Sequence, residues 1–178
     1  GGSAMVPAED DEKGTVAEKV GELIMRVLAE DLRPSRIITR ESLENAIASV
    51  AATGGSTNGV LHLLAIAYEL GIPLTIDDFD RIAARTPVVA ILKPGGRFVA
   101  TDVYEAGGVA LVARELVKRD LVHAEALNVD GFAASALRRK SAAASDAASG
   151  ASASTSSPGS PSTSRVVTRN LASLARLS

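Results

Sequence analysis

The stretch Thr53-Gly54-Gly55-Ser56-Thr57-Asn58 runs directly into Gly59-Val60-Leu61-His62-Leu63-Leu64-Ala65-Ile66-Ala67, and it constrains the chain more than any other. Two adjacent glycines free the backbone to turn sharply. Ser56, Thr57 or Asn58 then stands where a helix takes its N-cap and accepts from the first free amides. The segment after Asn58 is apolar nearly all round, which predicts a buried core helix rather than a surface one. A polar turn at the positive end of such a helix suits an anion. It suits a plain glycine C-cap followed by a Ser/Thr N-cap equally well. The residues leave both readings open, and the two are compatible.

Upstream, Val16, Val20, Leu23, Ile24, Val27 and Leu28 fall on one helical stripe between Thr15 and Glu30, predicting a surface helix packed on a core. Arg33-Pro34 closes that region, because proline disfavours the helical basin in its predecessor. Thr39 is placed to cap the next helix with Glu41 in its first turn. Leu43, Ala46, Ile47, Val50 and Ala51 supply that helix with an apolar stripe.

Downstream, Gly71 and Pro73 end the apolar helix near Leu70. Thr75 opens a short helix carrying Asp77 and Asp78 in its first turn and Phe79, Ile82 and Ala83 inside, and Thr86-Pro87 breaks it. Val88 to Leu92 is a continuous apolar run, either a buried strand or a loop against the core. Thr101 and Asp102 begin a helix of one or two turns that stops at Gly107-Gly108. Val109, Val112, Leu116 and Val117 give a last amphipathic helix to about Arg119, and Leu127 to Gly131 reads as a strand entering a turn.

These segments carry a further likeness. The wording ATGGSTNGVLHLLAIAYELGIPLTIDDF resembles the dihydroxy-acid and phosphogluconate dehydratase family, and within it the dihydroxy-acid dehydratases. So do Ile38 to Ala46, Arg85-Thr86-Pro87, Leu92 to Arg97 and Ala106 to Val109, in one order over residues 1–131. The resemblance implies an α/β fold, of which this chain holds the helix-rich portion of the N-terminal domain. It implies a hydro-lyase that converts 2,3-dihydroxy-3-methyl acids into 2-oxo acids and water in valine and isoleucine synthesis. It also implies an iron–sulfur cluster (2Fe-2S or 4Fe-4S), a Mg2+ ion, a small dihydroxy acid as substrate and a homodimer in the intact enzyme. Sugar-acid or 6-phosphogluconate dehydratases, or a non-catalytic helical remnant, are the alternatives. By the same resemblance, Gly54, Gly55, Ser56, Thr57 and Asn58 line the substrate site.

Composition narrows what the chain can do by itself. It has no cysteine, which removes disulfides, thiol nucleophiles and thiolate ligation of a cluster. The family's cluster ligands, catalytic base and full magnesium site have no counterpart among these residues, so no catalytic or metal-binding residue is assigned. Asp77, Asp78 and Asp80 cluster like acidic metal ligands, but Asp77 and Asp78 suit a helix first turn better. His62 reads as a core histidine, His123 as a loop residue, and two lone histidines make no metal spacing. Lys93 to Arg97 reads as a turn with solvated charges. A net charge of -2 argues against nucleic acid. Neither a membrane-length apolar run nor a leader is present in the sequence, so a cytoplasmic protein is expected.

The chain opens at Gly1 rather than Met and reads as an internal piece of a longer family member. After Gly131 its character changes, and residues 141–164 are almost wholly Ser, Ala, Gly, Pro and Thr. Such a segment cannot bury enough surface to offset its ordering entropy. Residues 132–178 are therefore expected to be a low-complexity tail, disordered or read from a shifted frame.

Overall fold

A computed structural model describes residues 5–93 and 95–129. Seven helices follow one another among them: α1 (Lys13–Ala29), α2 (Pro34–Ile37), α3 (Arg40–Ala52), α4 (Asn58–Glu69), α5 (Ile76–Arg85), α6 (Ala100–Glu105) and α7 (Gly108–Lys118). Among the described residues there is no strand; isolated bridge residues stand outside the helices, with Leu92 paired to Phe98 and another at Leu127. The unit is thus helix-rich, as expected. Val88 to Leu92 is not a strand: the amides of Val89 and Ala90 both donate to the Ala52 carbonyl, at 2.7 and 3.0 Å. Those two hydrogen bonds tie the run to the C-terminal end of α3. The low-complexity tail expected over residues 132–178 lies outside the described residues.

Helix α3 is the central element. Its Ile47, Ala48 and Ala52 form the core with Ile82 of α5 and with Val112 and Leu116 of α7. Leu63 of α4, Phe79 of α5 and Leu121 pack around them, half-buried. Small alanines on α3 let its neighbours approach closely, while Ile82 and Leu116 fill the space between as the largest fully buried side chains. The starts of α3, α5 and α6 are chemically specified. Thr39 and Ser42 cap α3 reciprocally, the Ser42 Oγ accepting from the Thr39 amide at 2.8 Å and the Thr39 Oγ1 from the Ser42 amide at 3.3 Å. At α5, Asp78 Oδ2 accepts from the Thr75 amide at 2.9 Å, and at α6, Asp102 Oδ2 accepts from the Val99 amide at 2.8 Å. Each bond satisfies an amide that the helix itself leaves free.

Four helices end alike. A residue with positive φ follows the last turn, and the next amide reaches back five residues. The pairs are Asp31 with Leu32 to Val27, Gly54 with Gly55 to Val50, Gly71 with Ile72 to Ala67, and Asp120 with Leu121 to Leu116. Gly71 occupies the expected position. Asp31 and Asp120 hold the left-handed region without being glycine, which short polar side chains tolerate.

Two helices are less covered than their sequences predict. Helix α4 was expected to be buried on every side, yet Ala67 is its one buried residue. Among the described helices it packs chiefly on α3 and α5, and its outer side stays exposed. Leu61 is 68% exposed and Tyr68 86%. Helix α1 has no buried residue. Val16, Leu23 and Val27 are half-covered, whereas Ile24 and Leu28 of the same stripe face solvent. Its start is held by two polar contacts, from Tyr104 Oη to Glu12 Oε2 at 3.0 Å and from Lys13 Nζ to the Val6 carbonyl at 2.7 Å.

Candidate functional site

The turn from Thr53 to Asn58 joins α3 to α4 and is exposed from Gly54 onward. Gly54 carries the positive φ, +60°. Gly55 is crowded in a different way: a Cβ there would stand 3.0 Å from Val50 Cγ1 and 3.2 Å from the Val50 carbonyl oxygen, tight enough that Val50 must give way. Thr53 Oγ1 donates back to the Ser49 carbonyl at 2.9 Å. The cap of α4 comes from Ser56, whose Oγ accepts from the Asn58 amide at 3.2 Å, whereas Thr57 makes no side-chain capping bond. The Gly59 and Val60 amides donate to the Ser56 and Thr57 carbonyls, at 2.9 and 3.0 Å. Among the described residues no hydrogen bond is donated by the Ser56 or Thr57 amide. The five residues Gly54, Gly55, Ser56, Thr57 and Asn58 therefore lie together on one exposed turn, with two backbone donors and short polar side chains at the positive end of α4.

A second constellation was not foreseen. Arg40 of α3 donates to Asp78 Oδ1 of α5, to the Pro73 carbonyl and, at 3.0 Å, to Glu44 Oε1. Arg81 donates to Asp78 Oδ1 at 2.9 Å and to Glu44 Oε1 at 3.3 Å. His123 Nε2 lies 2.6 Å from Glu44 Oε2. Asn45 completes the cluster by clasping the His123 backbone twice, its Nδ2 donating to the carbonyl at 3.0 Å and its Oδ1 accepting from the amide at 2.7 Å. The Arg40 guanidinium, the Thr75 amide and Arg81 hold the Asp78 carboxyl well below the usual carboxylate range. Partial burial works against ionisation of Glu44, but hydrogen bonds from His123, Arg40 and Arg81 outweigh it and lower its pKa. Arg40 is held more firmly protonated, chiefly by Asp78. Alternating charges bridging three segments in this way make a clamp.

The remaining sequence candidates disperse. His62 is exposed on α4 and not in the core, because α4 is enclosed on one side only. Asp77 and Asp80 are exposed, while Asp78 serves the clamp and the α5 cap. Among the described residues no group of three or more His, Asp or Glu could hold a metal. Lys93 and Arg97 are exposed, the Arg97 guanidinium lying 5.4 Å from the Phe98 ring centre. No helix among the described residues is long and apolar enough to cross a membrane.

Comparison with known proteins bears on the same residues. The sequence profile of the dihydroxy-acid/6-phosphogluconate dehydratase N-terminal family matches residues 1–136. A dihydroxy-acid dehydratase of Koribacter versatilis is 57% identical over 130 residues, which is 73% of this chain and 23% of that protein. Dihydroxy-acid dehydratases of Roseiflexus sp. and Natronomonas pharaonis are each 54% identical over 130 residues, covering 73% of this chain and 23% and 22% of those proteins. The match thus takes in less than a quarter of the length of these curated relatives.

Proposed function

Since the chain belongs to the dihydroxy-acid/6-phosphogluconate dehydratase family, we propose that it is a portion of a dihydroxy-acid dehydratase, a cytoplasmic, homodimeric hydro-lyase of branched-chain amino-acid synthesis. The substrate would be a 2,3-dihydroxy-3-methyl acid, converted to a 2-oxo acid and water. The relatives named above carry this activity in their names, and their 54–57% identity over 130 residues is the observation that supports the reading. We further assign this helical unit to an α/β domain, with the exposed side of α4 turned toward the rest of that domain.

In this reading the turn from Gly54 to Asn58 lines the substrate site. Its two free amides at the start of α4 offer hydrogen bonds to a carboxylate, and the helix dipole favours that charge. Ser56 would divide its hydroxyl between capping Asn58 and facing the ligand.

The family's iron–sulfur cluster and Mg2+ ion do not fit the residues present. The chain has no cysteine, and cluster iron is held by thiolates. The described residues likewise gather no carboxylate and imidazole set for a cation. No step is therefore assigned to either group here. The chain by itself is expected to bind no cluster and to show no turnover when reconstituted with iron and sulfide under anaerobic conditions.

The test is a chimera. Residues 1–136 of this chain replace the matched portion of the Koribacter versatilis relative, and 2-oxo acid formation is followed. The chimera should turn over a dihydroxy acid, and Ser56→Ala with Thr57→Gly should raise KM more than they lower kcat. A folded chimera without dehydration would sink the proposal.

A further inference from the structure

Helix α1 is 17 residues long and has no buried residue. A helix of that length is marginal by itself in water, and in a protein a covered apolar face supplies most of its stability. Gly14 and Gly21 inside it lower its intrinsic propensity further. Val16, Leu23 and Val27 are half-covered on one side. Val20, Ile24 and Leu28 form the adjoining row at i, i+4, i+8, and they are 38%, 59% and 72% exposed. The surface around that row is acidic. Residues 9–31 hold eight acidic and three basic side chains, a net charge of -5.

The same chain carries a segment of matching chemistry. Beyond the Ser/Ala-rich stretch, residues 165–177 change character once more. Val167, Leu171 and Leu174 recur at i, i+4, i+7, the spacing of one helical face. Arg165, Arg169 and Arg176 fall on the opposite face of that pattern, and the segment contains no acidic residue. The 35 residues 130–164 separate it from the last described residue. A linker of that length and small-residue composition has a root-mean-square span of about 30–35 Å. A unit of roughly 125 residues is about 35 Å across, so α1 is within reach.

We propose that residues 165–177 pack as an amphipathic helix along the outer row of α1, with Leu171 over Ile24. Charge selects α1 over the exposed side of α4. Glu69 is the one charged side chain of α4, which gives a basic segment little to be drawn to. The arginines lie on the side of the segment away from α1. Their attraction therefore acts through the field of the acidic surface and not through close pairs, and salt weakens it. Tethering in one chain adds an effective concentration on the order of 1 mM, enough for a short helix pair that would not hold between separate molecules. The inference is independent of the dehydratase reading.

The chain has no cysteine, so one introduced pair reports the contact. Ile24→Cys with Leu171→Cys is made in the whole chain, which is oxidised at low protein concentration; a disulfide needs the two Cα atoms within about 7 Å. Each position is the middle of its row, so the pair meets whichever way the segment runs. The control combines Leu171→Cys with Tyr68→Cys on the exposed side of α4. The internal disulfide should form about tenfold faster or more at position 24 than at position 68. Raising salt to about 1 M, where the screening length is about 3 Å, should narrow that ratio. Amide exchange gives a second measurement without cysteine. Leu171→Glu with Leu174→Glu should speed exchange along α1 about tenfold or more and leave α3 unchanged. Equal disulfide rates for the two pairs, or α1 exchange unmoved by the two glutamates, overturns the proposal. So does a covalent dimer joined through position 24 in place of the internal bond, which would make a second copy the cover of α1.

Discussion

Asp78 carries the most testable load in the clamp, because one carboxylate serves two purposes. Its Oδ2 accepts from the Thr75 amide at 2.9 Å and so caps α5. Its Oδ1 accepts from Arg40 and, at 2.9 Å, from Arg81. The two roles separate by substitution. Asp78→Ala removes both, and loss of the cap alone costs about 1 kcal/mol. The pair with Arg40, between side chains 14% and 31% exposed, is partly screened and adds up to about 1 kcal/mol. The alanine variant should therefore lose about 2 kcal/mol. Asp78→Asn keeps an oxygen for the Thr75 amide and should lose about half of that. Urea denaturation at pH 7 measures both. Acid supplies the second axis. The folded chain holds this carboxyl ionised more firmly than the unfolded chain does, so its contribution is complete above about pH 4 and drains away as pH falls further. The gap between the parent and Asp78→Asn should thus narrow from pH 6 to pH 3. Equal losses for Ala and Asn at pH 7, or a gap that stays constant into acid, would refute the charge argument and leave Asp78 as a cap only.

Three further outcomes follow from the geometry and are read by the same denaturation assay. Gly54→Val should cost more than 1 kcal/mol, because a β-branched residue is strained at φ +60°, and Gly55→Val should also destabilise, here through the clash with Val50; parental stability in either would mean that the turn relaxes freely. Ser56→Ala should cost about 0.5–1 kcal/mol and Thr57→Ala close to nothing, since the Asn58 amide donates to Ser56; the reverse order would place the cap at Thr57. Ile82→Ala should cost about 2–5 kcal/mol, because Ile82 is fully buried in the core among α3, α5 and α7, and a loss below 1 kcal/mol would show that the core collapses around the gap.

What the sequence made legible was local. Thr39, Thr75 and Gly71 announce helix ends by their own chemistry, and each ends or opens a helix where that chemistry requires. The clamp was half legible. Arg40 and Glu44 stand at i, i+4 and Asp78 and Arg81 at i, i+3, spacings that signal pairs on one helix. That the two pairs meet depends on α3 packing against α5, and no local pattern carries it. His123 is further still from reach, since it joins Glu44 across 79 positions. The same limit explains α4. Hydrophobic periodicity reports which faces a helix needs covered, not what covers them, so an all-apolar helix reads as core even where the described residues enclose one side. Gly54 and Gly55 show the finer version. Both were read as turn glycines, but only coordinates separate the one with positive φ from the one crowded by Val50.

Helix α3 connects the two constellations and also keeps them apart. Arg40, Glu44 and Asn45 stand on its first two turns, and Gly54 comes two residues after its last, Ala52. At about 1.5 Å per residue, Arg40 and Gly54 are roughly 20 Å apart along the axis. No side chain of the clamp can reach a ligand held at the turn over that distance. Its influence must pass through the placement of α3 itself, which the Ala52 carbonyl shares with Val89 and Ala90 at the far end. The two groups should therefore separate cleanly in any active chimera. Asp78 variants should shift the urea midpoint with KM unchanged wherever the protein is folded. Ser56 and Thr57 variants should shift KM, Thr57→Ala with almost no change in stability. If Asp78→Asn raised KM while the fold stayed intact, α3 would have to be a mobile lever between two positions, and the rigid central helix described here would be the part of the account to abandon.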